Sequence, residues 1–343
     1  MASDGYRLLE AVLAEGAPGW LREMPAVSTL RTLWLQQFTR VVTDGTEDVA
    51  WRGRDDLPPG GSLIALPYDP HVRYSRKGEL TWIGYKVHVS ECFAGPEDTE
   101  QPHLITHVVT TDATVNDAKV VDTVHDRLSD KDPMPREHLL DAGYTSAELL
   151  MTAPVTHGVT IVGPVRGNRT RQFVRAEGYD KDSFTIDWDT KRATCPNGAV
   201  SRYWTEGSDH NRRPAIRIRF LATTCAPCPA RDKCTRSELY GRQLTVRPRD
   251  QDALLQRARA EQDTADWRTR YAARAGVEST IHQTVAVAAA GTRKTRYIGL
   301  AKTHLAHVLT AAAVNLIRLD AWWIGTPLAS TRTSHLPALE LVA

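Results

Sequence analysis

Apolar residues alternate with other residues in two neighbouring stretches of the first half of the chain. In residues 82–89 every second position from Ile83 onward is apolar or aromatic, and a second β-rich run follows at residues 104–110. A period of two is typical of a strand with one buried face. The segment between the runs contains Gly95 and Pro96, which favour a turn. We therefore predict an antiparallel pair of strands.

Helical spacing begins after this pair. Val and Leu residues recur at helical intervals in residues 116–130, and short apolar runs at 138–141 and 159–162 indicate two further strands. A helix is predicted between them, starting with a capping box at Thr145 and ending at Pro154. The order β-β-α-β-α-β predicts an α/β fold in which helices cover a sheet with parallel members.

The hydrophobic pattern differs in the N-terminal segment and in the part of the chain after residue 163. The pattern is helical to about residue 43, and residues 44–70, rich in Pro and Gly, predict a loop. Short strand-like runs over residues 163–249 indicate an inserted subdomain, and helical periodicity returns over 253–285 and 302–323. The predicted divisions are a helical segment and linker (1–70), the first part of the core (71–163), a β-rich insertion with cysteines (164–250), C-terminal helices (251–325) and a tail (326–343).

Composition excludes several classes of protein. The 343 residues are 41% hydrophobic and 24% charged, which excludes a mainly disordered chain, a collagen-like chain and a membrane bundle. No basic and apolar leader opens the sequence. The apolar segment 305–324 contains His307 and Arg318, which are costly in a bilayer. We expect a cytoplasmic protein without a membrane partner, in which cysteines are reduced thiols or metal ligands.

Glu278 interrupts an apolar stripe of the predicted helix 253–285. Trp267, Tyr271, Arg274 and Glu278 are separated by intervals of four and three, so they share one helix face. Carboxylates are rarely buried unless they are paired or bound to metal. From the residues alone, Glu278 either pairs with Arg274 one turn earlier or points into a functional site.

Asp141 follows the apolar run of residues 138–140 and precedes Ala142 and Gly143. This position is the carboxyl end of a predicted strand, where α/β sheets commonly place their ligands. Asp before small residues and Gly is also a common turn sequence. Both interpretations stay open for Asp141 alone. Together, Asp141 and Glu278 would suit a two-metal site for phosphoryl transfer.

Four cysteines fall in the predicted insertion. A Cys-x2-Cys pair with two further cysteines can bind tetrahedral Zn²⁺, and such a site would stabilise a small subdomain. The five-residue gap before the last cysteine is longer than in most such sites, so reduced thiols without metal are an equal alternative. The four residues are Cys195, Cys225, Cys228 and Cys234.

Several separated motifs resemble those of bacterial insertion-sequence transposases of the DDE superfamily. They occur in the family's order and extend over nearly the whole chain. The resemblance implies an RNase H-like mixed sheet flanked by helices, with a β-rich insertion before the last catalytic helix. It also implies a triad of two Asp and one Glu. The motifs lie at residues 68–77, 82–88, 140–144, 271–278 and 296–304.

The resemblance assigns roles to individual residues. Asp141 matches the second acid of the triad and Glu278 the third, so both are expected to bind Mg²⁺ or Mn²⁺ in a two-metal mechanism. Tyr271 and Arg274 match the family residues that precede the glutamate by seven and four positions, and they are expected to orient Glu278 or contact DNA phosphate. The implied reaction is cleavage and transfer of transposon-end DNA by a homo-oligomer.

The chain departs from the family pattern in two places. In the family the first acid precedes a helical insertion that resembles residues 5–40, so we expect an N-terminally truncated copy with doubtful autonomous activity. Asp69, Asp112 and Asp117 lie near strand ends, but loop or cap roles explain them. An alanine-rich run at residues 285–291 replaces the basic residue that relatives tend to carry after the glutamate.

Basic residues concentrate where DNA is expected, and no acid occurs between Glu278 and Asp320. One-sign stretches attract the phosphate backbone. A nucleoid-associated transposase is therefore the leading hypothesis. Its rivals are a non-catalytic DNA-binding remnant that competes with the full-length enzyme, and a gene fragment that barely folds. The expected DNA contacts are Arg166, Arg169, Arg293, Lys294, Arg296 and Lys302.

Overall fold

A computed structural model describes residues 2–43, 45–93, 101–131, 134–209, 211–287 and 294–326. The chain forms two compact units. Unit 1 comprises residues 1–132 and 273–343, and unit 2 comprises residues 133–272. Both units contain helices and strands, so the predicted α/β class is confirmed. The described strands form several small sheets, and the RNase H-like arrangement stays a prediction.

The elements are numbered in chain order. The helices are α1 (Ala2–Leu13), α2 (Gly19–Glu23), α3 (Pro25–Gln37), α4 (Val120–Ser129), α5 (Ala147–Thr156), α6 (Arg171–Arg175), α7 (Ala222–Cys225), α8 (Arg231–Cys234), α9 (Arg249–Gln262), α10 (Ala265–Ala272), α11 (Gly276–Val287) and α12 (Leu300–Trp323). The strands are β1 (Phe38–Thr43), β2 (Thr46–Trp51), β3 (Arg73–Lys77), β4 (Leu80–Glu91), β5 (Ile105–Asp112), β6 (Glu137–Leu139), β7 (Thr160–Val162), β8 (Thr185–Asp187), β9 (Arg192–Thr194), β10 (Tyr203–Ser208), β11 (Pro214–Arg219) and β12 (Gln243–Val246).

Unit 1 is built around an antiparallel sheet in the order β3-β4-β5. The predicted pair of strands is β4 and β5, with His88 opposite Val109. The predicted turn residues Gly95 and Pro96 lie outside the described residues. Helix α12 packs on β5 through Ala311 and Val314, which are 6% and 1% exposed. This sheet and α12 form the support on which α11 rests.

The N-terminal part of the chain corrects the sequence-based prediction. Residues 38–51 form the hairpin β1-β2, although a helix to residue 43 and then a loop were predicted. Thr39, Val41 and Val42 are β-branched and favour a strand. Gly45 adopts a φ of 76° between the strands, a conformation that glycine tolerates at low cost. The hairpin turn therefore outweighs the helical spacing that precedes it.

In unit 2, β6 and β7 are parallel, with His138 opposite Ile161. Helix α5 lies between them in the chain, as predicted. Its N-cap is Ser146, whose hydroxyl accepts a hydrogen bond from the Leu149 amide, so the predicted start at Thr145 is one residue early. Pro154 lies inside α5 instead of ending it. Pro154 lacks the amide that would donate to the carbonyl four residues earlier, but the helix continues for two more residues to Thr156.

Residues 164–250 contain the β-rich part of unit 2, and their being an insertion in a larger fold stays a prediction. Strands β8 and β9 form a hairpin, and β10, β11 and β12 form an antiparallel sheet. Alternate residues of β11 face a core that contains Ile216 and Ile218, 6% and 0% exposed. Phe184 and Phe220 meet edge to face in the same core, with ring centroids 5.7 Å apart. Three of the four clustered cysteines pack against it, namely Cys195, Cys225 and Cys234.

The predicted continuous helix over residues 253–285 is divided. Helix α10 ends at Ala272, a 3-10 turn covers Ala273–Ala275, and α11 begins at Gly276. Tyr271 and Glu278 therefore belong to different helices, and the predicted stripe does not run along one helix face. Glycine has a low helix propensity, so the Ala-Gly junction is a weak point of the helical pattern.

The helical periodicity over residues 302–323 corresponds to α12, but the leucines that produce it do not form its buried face. Leu305, Leu309 and Leu316 of α12 are 58%, 62% and 68% exposed, whereas Thr303 and Val314 are buried. Polar side chains of α12 contact β5 beside this buried face: the Asn315 side chain accepts a hydrogen bond of 2.8 Å from the Ile105 amide, and the Thr110 hydroxyl contacts His304 and His307. Among the described helices α12 is the one long and apolar enough to cross a membrane by length and composition. Its polar contacts to β5 are those of a packing helix.

Candidate functional site

Asp141 follows strand β6 of unit 2 by two residues and is exposed. Its Oδ1 accepts a hydrogen bond of 2.7 Å from the Ala142 amide. Its carbonyl accepts one of 2.9 Å from the Tyr144 amide, which closes a turn. The amide of Leu140 donates to the Val162 carbonyl on β7 over 2.8 Å. Asp141 is therefore a turn residue, and this turn also holds its carboxylate at the carboxyl end of a parallel strand. The two interpretations of Asp141 are compatible.

Gly163 makes this strand end possible. A Cβ at Gly163 would lie 2.8 Å from the Leu140 carbonyl oxygen and 2.5 Å from Oγ1 of Thr145. Both distances are shorter than real Cβ contacts, so a side chain would push the loop after β6 away from β7. The backbone of residues 140–145 therefore depends on a glycine that the sequence analysis did not identify. The signal was its position directly after the apolar run 159–162.

Tyr271 contacts the same strand end. Its hydroxyl donates to the Leu140 carbonyl over 3.2 Å, and its ring stacks on Trp267 with centroids 4.7 Å apart. One residue earlier, Arg270 forms a bidentate ion pair with Glu137 at the start of β6, with Nε to Oε2 at 2.9 Å. These contacts hold helix α10 against β6, and the hydrogen bond from Tyr271 fixes the carbonyl of Leu140, the residue that precedes Asp141.

Glu278 and Arg274 lie in unit 1, at the start of α11 and in the 3-10 turn before it. Glu278 is exposed. The pairing of Glu278 with Arg274 that the helix spacing allowed stays a prediction. Asp141 and Tyr271 lie in unit 2. Two of the four predicted catalytic residues therefore lie in each unit.

Three further acids near strand ends have structural roles. Asp69 is 4% exposed, and its carboxylate accepts hydrogen bonds from the Tyr85 hydroxyl at 2.9 Å and from the Gly299 amide at 2.9 Å. Asp112 accepts a bond from the Thr114 amide. Asp117 pairs with Lys86 at 2.9 Å. The predicted loop and cap roles fit these contacts, and Asp69 also anchors the start of α12.

The predicted DNA contacts occur in both units. In unit 2, Arg166 and Arg169 are exposed in the segment after β7. In unit 1, Lys294, Arg296 and Lys302 are exposed around the start of α12. Arg293 lies outside the described residues. Asp69 holds the Gly299 amide in this segment, so the exposed cations are carried by an anchored backbone.

The four clustered cysteines line one cavity of about 370 Å³ in unit 2. Three sulfurs accept N–H hydrogen bonds: Cys195 from the Ala199 amide at 3.3 Å, Cys225 from the Arg242 amide at 3.4 Å, and Cys228 from the Asn197 side chain at 3.4 Å. Burial raises the pKa of Cys234 to about 11. Cys92, by contrast, is exposed in unit 1.

No ready-made metal centre occurs in the part of the chain that the structure describes. No group of three or more His, Cys, Asp or Glu side chains there is arranged to hold a metal ion. The four cysteines share a cavity without forming such a group. The roles predicted for Asp141, Glu278 and the cysteines stay predictions.

Comparison with protein-family models gives a match in the C-terminal half of the chain. Residues 194–320 match a family model described as a transposase DDE domain. The match covers the segment from Cys195 through Glu278 to Asp320, and it confirms the resemblance to DDE-superfamily transposases inferred from the motifs. No curated protein and no solved structure matches the chain.

Proposed function

We propose that this chain, of which residues 194–320 match a transposase DDE domain, acts on transposon-end DNA in the cytoplasm and catalyses metal-dependent strand cleavage and transfer. The observation that carries the proposal is the position of Asp141, an exposed carboxylate in a tight turn at the carboxyl end of parallel strand β6. Ligands of α/β sheets bind at such strand ends. Glu278, which lies in the matched segment 194–320, supplies a second exposed carboxylate.

The residues of the chain suit Mg²⁺ or Mn²⁺, because carboxylate oxygens are the ligands that these hard cations prefer. Asp141 and Glu278 would hold the metal. When bound, a pair of such ions activates the attacking oxygen and stabilises charge on the phosphate. Tyr271 keeps the strand end before Asp141 in place through the Leu140 carbonyl. Exposed cations such as Arg296 would bind the DNA backbone.

The reaction class explains why so few side chains need to act chemically. Phosphoryl transfer relies mainly on positioning and on electrostatic stabilisation. A protein that holds metal, phosphate and a 3′-hydroxyl together therefore needs no covalent intermediate. Strand transfer also requires two DNA ends to be held at once, so a homo-oligomer is part of the proposal.

The proposal is tested by incubating the purified chain with supercoiled DNA that carries the element's ends. We expect nicking that requires Mn²⁺ or Mg²⁺ and stops when EDTA is added. A plasmid without the ends serves as the matched control for non-specific nuclease activity. DNA binding without nicking under every metal condition would reject the catalytic proposal.

A non-catalytic DNA-binding protein is the second candidate, and one observation favours it. The carboxylate of Asp69 is occupied by protein donors, and Asp112 and Asp117 also have partners in unit 1. None of the three is set to complete an acidic triad, whereas the exposed cations can bind DNA without one. Competition with an active transposase for the same DNA ends would support this candidate.

Removing two cations from the segment that precedes α12 is expected to weaken DNA binding. The double variant Lys294→Ala/Arg296→Ala should lower affinity for all duplexes and reduce the slope of log K against log salt by roughly one for each lost phosphate contact. Fluorescence anisotropy at several salt concentrations measures this slope. Arg31→Ala, an exposed cation on α3, is the control. An unchanged slope in the double variant would exclude this segment as a DNA contact.

We also propose that Cys195, Cys225, Cys228 and Cys234 bind a structural Zn²⁺. Four thiols line one cavity, and three of the sulfurs accept N–H bonds of the kind that stabilise metal-bound thiolates. Four thiolates are the donor set of a tetrahedral structural zinc site. Zinc would then stabilise this small β-rich region.

The expected zinc content is one ion per chain, measured by elemental analysis after reconstitution and removal of loose metal. Cys228→Ser is expected to lose most of the zinc and to unfold at a lower temperature. Cys92→Ser changes an exposed cysteine of unit 1 and should retain the full content. Metal-free protein after reconstitution would show that the four residues are reduced thiols.

A further inference from the structure

A buried polar network joins three elements of unit 1. The carboxylate of Glu91 at the end of β4 pairs with Arg318 on α12, with Nη1 to Oε2 at 3.0 Å. Thr280 on α11 lies between them. Its hydroxyl donates to Glu91 and accepts a hydrogen bond from Arg318. The single hydroxyl of Thr280 is thus a donor to Glu91 and an acceptor from Arg318 at the same time.

The guanidinium of Arg318 makes two more contacts. Its Nε donates to the Gln283 side chain on α11 over 3.0 Å, and its Nη1 donates to the His103 carbonyl over 2.7 Å. Arg318 therefore binds α11 at two positions almost one turn apart and the segment before β5 at a third. A planar, always charged fork is suited to such a junction.

The network is shielded from water. The side chains of Arg318 and Glu91 are 14% and 10% exposed, and Thr280 is 0% exposed. Buried charges are costly unless each is paired and hydrogen-bonded. A lost partner would leave the other groups buried without compensation, so the network has one favourable arrangement. Its directional hydrogen bonds to Thr280 and Gln283 constrain the position and rotation of α11.

Glu278 lies two residues before Thr280, which places it about 200° around the helix at 100° per residue. With Thr280 fixed against β4 and α12, Glu278 must point away from them, and it is exposed. We propose that Glu91, Thr280 and Arg318 are positioning residues that fix the direction of the Glu278 carboxylate for metal binding. This inference rests on the proposed function and extends it to residues that touch neither DNA nor metal.

Two variants of one residue test the proposal. Thr280→Val preserves the branched shape but removes the hydroxyl, whereas Thr280→Ser keeps the hydroxyl and removes a methyl group. Thr280→Val is expected to speed hydrogen exchange in peptides from α11 by tenfold or more, with exchange in α9 of unit 2 unchanged. Thr280→Ser should exchange like the unmodified chain. Equal exchange in both variants would overturn the proposal.

Metal binding supplies a readout that general destabilisation does not move. The concentration of Mn²⁺ at half saturation, followed by the electron paramagnetic resonance signal of the free ion, should rise by roughly 10- to 100-fold in Thr280→Val. Thr280→Ser should restore it, and the Kd for DNA should be unchanged in both. A weaker DNA affinity with normal Mn²⁺ binding would also overturn the proposal.

The two proposals fail in different ways. If the unmodified chain does not nick DNA with any metal, the catalytic proposal is rejected, while the exchange comparison still decides whether the network holds α11. If nicking occurs and both variants nick with the same Mn²⁺ dependence, the catalytic proposal stands. In that case the network is structural only, and the positioning proposal is rejected.

Discussion

Glu278→Gln is expected to reduce Mn²⁺-dependent nicking by roughly 10²–10³-fold, the size of effect seen when one group that stabilises transition-state charge is removed. Glutamine has nearly the same shape as glutamate but lacks the negative charge that binds metal. Asp141→Asn should give a similar loss for the same reason. Gel separation of nicked from supercoiled DNA, at several Mn²⁺ concentrations, measures both variants.

Glu148→Gln provides the matched control, because Glu148 is an exposed carboxylate in the first turn of α5. It should retain full activity. DNA binding by all variants should be retained, since neither carboxylate attracts phosphate. If the Glu278→Gln and Asp141→Asn variants nick DNA at the normal rate, other acids bind the metal. The roles that the family resemblance assigns to these two residues are then wrong for this chain.

Arg318→Met is expected to lower the free energy of unfolding of unit 1 by about 3–5 kcal/mol, the usual cost of removing one partner from a buried ion pair. The loss arises mainly because the carboxylate of Glu91, 10% exposed, is left without a counter-charge. Methionine retains much of the aliphatic volume of arginine, so a large cavity does not contribute. Urea unfolding followed by circular dichroism measures the change.

Two comparisons separate this effect from general disturbance. Arg76→Met breaks an exposed ion pair with Glu79, whose side chains are 62% and 100% exposed, and should cost about 0–1 kcal/mol. Adding Glu91→Gln to Arg318→Met should recover part of the loss, because the buried charge is then removed. Additive losses in the double variant would mean that the two side chains do not stabilise unit 1 as a pair.

Local patterns predicted many of the elements. The alternation from Ile83 to Val89 predicted β4, and the apolar runs on either side of α5 predicted β6 and β7. These segments have one buried face each, so their periodicity is visible in the residues. The hairpin β1-β2 was missed because residues 38–51 have no clear alternation. Its turn at Gly45, with φ of 76°, outweighed the preceding helical spacing.

Sequence motifs identified some residues of the candidate site but not others. Asp141 and Glu278 were identified from motifs, and both occupy exposed positions near the ends of their elements. Gly163 and Thr280 were not identified, because their roles depend on neighbours distant in the chain. Gly163 matters through its approach to Leu140. Arg318 offered the clearest missed signal, since a cation among the apolar residues of a helix commonly has a partner if it is buried.

The sequence by itself determined the α/β class, the DDE-superfamily resemblance, the acids proposed to bind metal and the clustering of four cysteines. All of these depend on residue type and short spacing. Only the tertiary structure decided which face of α12 is buried, that a 3-10 turn separates Tyr271 from Glu278, and that Glu91, Thr280 and Arg318 meet. The physical reason is that burial and hydrogen bonding join residues far apart in the chain. Glu91 and Arg318 are separated by 227 positions, and no local pattern encodes such a contact.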